Sequence, residues 1–405
     1  MKVLSLFTGA GGLDLGLEEA GFSIAGCVEI DADCRKTLRA NRSWRLAEPG
    51  DIHVREPAEL LRSLKLGRGE IAVLSGGPPC QPFSKAAYWR TGGSRRLSDP
   101  RALTLSRYLD VLEAALPEVA LIENVKGISF RGKDEGLALL RAGFERVNRR
   151  HGTAYNPQVI HLDAVDYGVP QRRERVFIVA TRAGVEIDVP APTHGGTKRH
   201  ATAWDAIGDL ADDDPPAEVG LSGKWSSLIP SIPEGENYLW HTSRGGGEPL
   251  FGWRTRYWSF LLKLAKDNPA WTLQAAAGPA TGPFHWFNRR LTRTELARLQ
   301  TFPDGYNVGG SYTSAQRQIG NAVPSAIGEL LGLTLRRQVF GERPRNALRL
   351  IPAARDDCPG HENPGPVPSA MLALRGQHDD HPGTGKGPGA RKRAAQAGED
   401  DSLAA

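Results

Sequence analysis

Short apolar runs alternate with amphipathic stretches through the first 180 residues, and this alternation constrains the fold more than any other feature of the chain. Val3–Phe7 reads as a strand, Leu13–Ala20 as a helix, Ser23–Val28 as a strand and Ala32–Asn41 as a helix. The series continues with a strand at Ile71–Leu74, a helix around Ala102–Ala115, a strand at Val119–Ile122, a helix at Glu135–Arg150, and strands near Gln158–Leu162 and Arg175–Ala180. Strand and helix in turn predict an α/β domain built on a doubly wound parallel sheet, because a parallel pair needs a crossover and a helix supplies it.

After Thr181 the pattern stops. Residues 190–287 are rich in Gly, Pro and Asp and hold seven of the nine tryptophans, at 204, 225, 240, 253, 258, 271 and 286. They predict a second, smaller and loop-rich domain. Helical periodicity returns at Arg293–Gln300 and Pro324–Val339, and beyond about Arg345 the text turns to Pro, Gly, Asp and Ala. A segment of that composition buries too little apolar surface to order itself, so 346–405 is expected to be a disordered tail.

A net charge of +5 favours an anionic partner without demanding one. The four cysteines, Cys27, Cys34, Cys80 and Cys358, show neither pairing nor zinc-ligand spacing, so disulfides and a structural metal are not expected. No apolar segment approaches the roughly eighteen residues needed to cross a bilayer, and no signal peptide precedes the first strand, which predicts a cytoplasmic protein without membrane contact.

Two loops carry chemistry. Gly76-Gly77-Pro78-Pro79-Cys80-Gln81-Pro82-Phe83-Ser84 follows the strand at Ile71–Leu74. The prolines bar helix and ladder pairing and the glycines let the backbone leave the strand sharply, so the loop presents Cys80 rather than burying it and makes it a candidate nucleophile. Phe7-Thr8-Gly9-Ala10-Gly11-Gly12 joins the first strand to the first helix, where an α/β sheet binds nucleotide-like ligands. Gly9 and Gly11 allow backbone to approach such a ligand, and Glu29, at the end of the second strand, stands where a carboxylate takes both ribose hydroxyls. The third glycine directly follows the second, which is not the spacing of dinucleotide enzymes.

Pro79-Cys80-Gln81 also resembles, nearly letter for letter, the catalytic motif of the DNA cytosine-5 methyltransferases. Further matches follow in the family's order: the Phe7–Gly12 loop with Glu29, Glu123-Asn124-Val125, Gln171-Arg172-Arg173-Glu174-Arg175, the stretch Arg290–Asp304, and Gln318-Ile319-Gly320-Asn321-Ala322-Val323-Pro324. The resemblance spans roughly residues 3 to 338. It implies a Rossmann-like domain at 1–189 completed by 318–345, a target-recognition domain and hinge at 190–317, and S-adenosylmethionine as methyl donor with no metal. In the cofactor site it places Phe7 on the adenine, Glu29 on the ribose and Asp51 on the adenine amino group, with Gly9, Gly11, Pro79 and Asn321 completing the walls.

For the chemistry, the resemblance implies that Cys80 adds to carbon 6 of a cytosine rotated out of double-stranded DNA. Glu123 then supports ring nitrogen 3 from a pocket that raises its pKa. Residues 173 and 175 precede and begin an apolar strand and so share one face, which would aim Arg173 and Arg175 at one pocket. The family gives them the cytosine carbonyl, the nearby phosphate and the lowering of the thiol pKa. Lys85–Arg96 has the composition of a loop that closes on phosphates, and Lys198, Arg199, Arg244, Arg254 and Arg256 would face the groove or the phosphates. The expected setting is a monomeric bacterial modification enzyme paired with a restriction endonuclease. A tRNA-methylating branch of the family is a rival, although it carries a Cys-Phe-Thr signature and no cysteine lies between Cys80 and Cys358. A nicotinamide-dependent oxidoreductase is a second, and it leaves Pro79-Cys80-Gln81 without a use.

Overall fold

The computed structural model describes residues 1–78, 103–125, 135–210, 216–254 and 257–380, so Pro79, Cys80, the loop Lys85–Arg96 and Arg256 lie outside the described residues. The chain divides into two compact units. The first comprises Met1–Ala211, Pro269–Ala276 and Arg293–Asp356, and the second Asp212–Asn268, Ala277–Thr292 and the chain from Asp357 onward.

Among the described residues the first unit holds a six-stranded sheet of order β2-β1-β3-β4-β6-β5. Its strands are β1 (Lys2–Leu6), β2 (Ser23–Val28), β3 (Ile71–Gly76), β4 (Val119–Asn124), β5 (Gln158–Asp163) and β6 (Glu174–Thr181). Each central strand is apolar on both faces, and alternate residues separate into two cores. Leu4, Leu6, Leu74, Ala120, Ile122 and Ile178 pack beneath α3 (Pro57–Ser63), α4 (Leu103–Ala115) and α5 (Glu135–His151). Val3, Val73, Leu121, Phe177 and Val179 face α1 (Gly12–Glu19) and a C-terminal helix. Between β2 and β3, α2 (Ala32–Asn41) starts where the Asp31 carboxylate accepts from the backbone N–H of Asp33 and Cys34.

The sheet is mixed, not wholly parallel. β1 to β4 run parallel, β6 runs antiparallel to β4, and β5 runs antiparallel to β6. Only Ala164–Arg173 separate β5 from β6, too short a span for the crossover that a parallel neighbour requires. The reversal has a geometric consequence: the beginning of β6, not its end, lies at the carboxyl edge of β4.

Short helices α6 (Ala203–Ile207), α7 (Arg293–Leu299) and α8 (Tyr312–Asn321) precede α9 (Ser325–Gln338), which lies against α1. The approach is close enough that a Cβ added to Gly16 would stand 2.1 Å from the Ser325 carbonyl oxygen and 2.4 Å from the Glu329 nitrogen. α7 and the whole of 293–317 belong to the first unit, although the sequence reading grouped 190–317 together. Arg199 is also in this unit, where it pairs with the buried Asp205 carboxylate.

Two parts of the stretch from 346 to 380, all of which was expected to stay unordered, pack against a core, and most residues between them are exposed. Glu329 is fully buried, and its carboxylate accepts from Arg345 at 2.6 Å and from the backbone N–H of Arg349 and Leu350. A buried carboxylate needs such donors, and meeting that need fixes the following backbone. Leu348, Leu350 and Ile351 then pack on the α1–α9 core.

The second unit is loop-rich, as expected. Its core is Leu228, Ile229, Ile232, Tyr238, Leu250, Leu261 and Phe284, and Val367, Met371, Leu372 and Leu374 from the C-terminal stretch around α10 (Ser369–Leu372) close over it. A buried Lys266–Glu234 ion pair lies in the same unit.

Candidate active site

Strand ends at the carboxyl edge of the first unit's sheet build one cavity of about 440 Å³, within the usual size range of small-molecule sites. Phe7, Gly9, Glu29, Asp51 and Asn321 line it, together with Glu123 and Arg175. Seven of the residues singled out in the sequence thus share a single cavity.

The loop after β1 is held in an unusual conformation, with φ of +56° at Phe7 and +59° at Gly9. Gly9 suits that geometry, and a Cβ built there would meet no heavy atom within 4 Å, so the backbone is left open for a ligand to approach. Its N–H donates to Glu29 Oε2 at 2.6 Å, and the Asp31 N–H donates to Oε1 at 2.7 Å. Both oxygens of Glu29 are thereby oriented, and each keeps a lone pair for a further donor such as a ribose hydroxyl. Burial raises the Glu29 pKa, and these two N–H groups oppose the rise. Gly50 allows the Asp51 loop to rest on the Glu29 backbone, since a Cβ there would fall 1.9 Å from the Glu29 carbonyl oxygen.

Glu123 ends β4 and Arg175 begins β6, and the antiparallel pairing brings them together, with Arg175 Nε 3.0 Å from Glu123 Oε1. Burial drives the Glu123 pKa upward against the opposing charges of Arg175 and Arg173. Gly77 lies directly beside this carboxylate: a Cβ there would stand 3.3 Å from Oε2. Asn124 Nδ2 donates to the Pro78 carbonyl at 3.4 Å, so the backbone leading toward Cys80 leaves the sheet alongside Glu123.

Two expected residues are elsewhere. Arg173 does not line the cavity; it is 1% exposed, and its guanidinium donates to the carbonyls of Gly320 at 2.6 Å, Ala322 at 2.8 Å and Leu273 at 3.4 Å. It lies just before β6, where carbonyls on either side of Asn321 capture its head group, so it holds the cavity wall from behind. Gly11 caps α1 with φ +83° and packs against Leu38, Trp44 and Tyr306.

Other lining residues escaped the sequence reading. Asp14, in the first turn of α1, is 1% exposed and accepts from the Ser75 hydroxyl at 3.2 Å. Burial pushes its pKa up to about 7, against hydrogen bonds from Ser5 and Ser75. A lone acid within the otherwise apolar Gly12-Leu13-Asp14-Leu15-Gly16-Leu17 was the available signal. Asp31 and Arg317, 2.8 Å apart, also line the cavity, as does the exposed Ile30.

An open α/β sheet with a glycine loop, a carboxylate oriented by two backbone N–H groups and a buried acid–arginine pair at one cavity is the architecture of a nucleotide-binding α/β protein. The family follows from comparison: residues 1–336 match the model of the C-5 cytosine-specific DNA methylases, and the chain belongs to that family. It is 36% identical over 372 residues to the type II methyltransferase M.SacI of Streptomyces achromogenes, covering 84% of this chain and 93% of that protein. Against M.NgoFVII of Neisseria gonorrhoeae it is 32% identical over 332 residues, covering 80% and 83%. Among solved structures, the fold resembles Entamoeba histolytica methyltransferase EhMeth, with a TM-score of 0.56 at 16% identity over 84% of this chain and 98% of that one. Membership makes the protein a DNA cytosine-5 methyltransferase that uses S-adenosylmethionine. No helix among the described residues is long and apolar enough to cross a membrane.

Proposed function

We propose that the chain methylates carbon 5 of a cytosine flipped out of one specific sequence of double-stranded DNA, with Cys80 as the nucleophile, and that it protects that DNA from a partner restriction endonuclease. The observation that supports this reading best is one cavity lined at once by the oriented Glu29 carboxylate and by the Glu123–Arg175 pair, with Gly76-Gly77-Pro78 in its wall leading to Cys80.

The residues of the cavity suit the cofactor. Glu29 would take the ribose hydroxyls, Phe7 and Asp51 the adenine, and the open backbone at Gly9 with Asn321 the remainder. When bound, S-adenosylmethionine supplies the transferable methyl group on a sulfonium. The chain's own part is to activate the ring. Carbon 5 of cytosine is a weak nucleophile; forming a bond from the Cys80 sulfur to carbon 6 moves an electron pair into the ring, where carbon 5 can use it. Glu123, whose burial favours the protonated acid, donates a hydrogen bond or a proton at nitrogen 3 and relieves the charge. Arg175 sets a fixed positive charge beside it. Once carbon 5 carries its methyl group, loss of the carbon-5 proton returns an electron pair that expels Cys80. Arg173, by holding residues 320–322, keeps Asn321 in place. The second unit, with its loops and basic residues, would read the DNA sequence.

Bisulfite sequencing of genomic DNA from a cytosine-methylation-free host expressing the wild type or Cys80→Ala tests the reading. Protected cytosines within one short sequence, absent in the variant, are expected. Soluble, folded protein without protected DNA in either sample would overturn it.

A further inference from the structure

The second unit holds a cavity of about 360 Å³ that none of the chemistry above uses. It is lined by Trp225, Tyr238, Phe251, Tyr257, Phe260 and Arg254, and His378 from the C-terminal stretch completes the wall. We propose that this cavity is a binding site for a single unstacked nucleobase of the DNA. The proposal rests on the DNA-methylating reading and deepens it.

Four of the rings support one another. Trp225 meets Phe251 and Phe260 edge-on at 5.3 and 5.8 Å, Tyr238 lies 5.5 Å from Phe260, and Phe251 and Phe260 are 5.7 Å apart. The Tyr238 hydroxyl donates to the Arg254 carbonyl at 3.3 Å, which ties the cationic residue to the ring cluster. A rigid aromatic wall accepts a flat π-system with little ordering cost, and every base offers one. An uncharged aliphatic ligand would gain neither from stacking on these rings nor from the surrounding charges.

Those charges favour a nucleotide. Arg254 lines the cavity, Lys224 Nζ lies 4.7 Å from the Trp225 ring centroid, and the Arg244 guanidinium lies 3.8 Å from the Trp253 ring centroid. Asp380, which accepts from the Trp253 backbone N–H and the Ser243 hydroxyl, lies close enough to Arg244 and Arg254 to offset part of this charge. The net balance suits a phosphate-bearing ligand with a planar apolar body.

Tyr257 adds an independent sign. It is 68% exposed and held at φ +73°, a region that a bulky residue enters only under constraint from its surroundings. A large ring kept at a cavity rim in a strained backbone is poor for stability but well placed to cover a base.

The test uses the full chain and three fluorescein-labelled single strands: twelve deoxyadenylates, twelve deoxycytidylates, and twelve abasic deoxyribose phosphates carrying the same charge without bases. Anisotropy titration of the wild type should show at least one base-bearing strand bound roughly tenfold or more tighter than the abasic strand. Tyr257→Ala should reduce that ratio severalfold while leaving abasic binding unchanged. Trp271→Ala, which removes an exposed ring in the first unit, should leave the ratio alone. A wild-type ratio near one, or equal loss of the ratio in both variants, would overturn the proposal. Transfer of tritiated methyl groups to mixed-sequence duplex DNA, measured on the same preparations, reports on the methylation reading separately. Transfer without base dependence refutes the base site alone, whereas base dependence lost in Tyr257→Ala without transfer supports the base site and refutes the methylation reading.

Discussion

Replacing Asp14 by Asn should make the protein's stability less dependent on pH, and the structure sets the size of the effect. Asp14 is 1% exposed on α1, with the Ser75 hydroxyl 3.2 Å from its Oδ1. Burial raises its pKa from 3.8 to about 7, with the Ser5 and Ser75 hydroxyls opposing. The folded chain therefore retains a proton that the unfolded chain releases. For a carboxyl shifted upward, the stabilising contribution is whole below about pH 4 and is lost progressively as pH rises to about 7. Above that, both states are ionised and the penalty is constant. At 1.36 kcal/mol per pH unit, the rise from 3.8 to about 7 is worth about 4 kcal/mol. About 3 kcal/mol of this falls between about pH 5 and about pH 8.5. Asparagine keeps the volume and can hydrogen-bond to both hydroxyls but does not titrate. Urea unfolding of wild type and Asp14→Asn, without cofactor, should show the variant gaining about 3 kcal/mol on the wild type between those two pH values. Other titrating groups cancel in the difference. A stability gap that stays constant within about 1 kcal/mol across the range would refute the assignment of a buried, proton-holding acid at this position.

Glu123→Gln should lower kcat by about a hundredfold or more while the protein still binds S-adenosylhomocysteine, because the cofactor end of the cavity is untouched. The wild-type rate should fall as pH rises through the elevated pKa of Glu123, and the variant should lack that limb; a pH profile of methyl transfer checks both. Gly16→Ala places a Cβ 2.1 Å from the Ser325 carbonyl oxygen and should destabilise the first unit by about 3 kcal/mol through forced separation of α1 and α9, read as a lowered melting temperature. Ending the chain at Asp356 removes Val367, Met371, Leu372 and Leu374 from the second unit's core and the Arg375–Glu248 pair at 2.8 Å. Limited proteolysis should then cut within 216–292 faster than in the full chain, while the first unit resists as before.

Much of the site was legible from the sequence because its signals are local. A glycine-rich turn between strand and helix, an acid at the end of the next strand and a second acid at the end of a buried strand are features of turn chemistry and short-range periodicity. Those rules pointed to Gly9 and Glu29, and the ordered family resemblance added Phe7 and Glu123; all four line one cavity. Asp51 and Asn321 have no local signal at all, and the ordered family resemblance was the sole pointer to them.

By itself, the sequence determined the alternation of strands and helices, the loops at the carboxyl edge and the loop-rich character of the second unit, since each depends on side-chain period and turn residues over a few positions. The tertiary structure decided whatever depends on distant partners. Periodicity carries no strand direction, so only pairing in the sheet reveals that β6 is reversed and that Arg175 therefore meets Glu123. Arg173 is drawn behind the cavity by carbonyls 147 and 149 positions away. The residues just after Arg345, unpromising in composition, are held in place because buried Glu329 requires the backbone donors of Arg349 and Leu350. Asp14 becomes a proton-holding acid only when a folded core excludes water from it, since burial rather than residue type sets the energy of a charge.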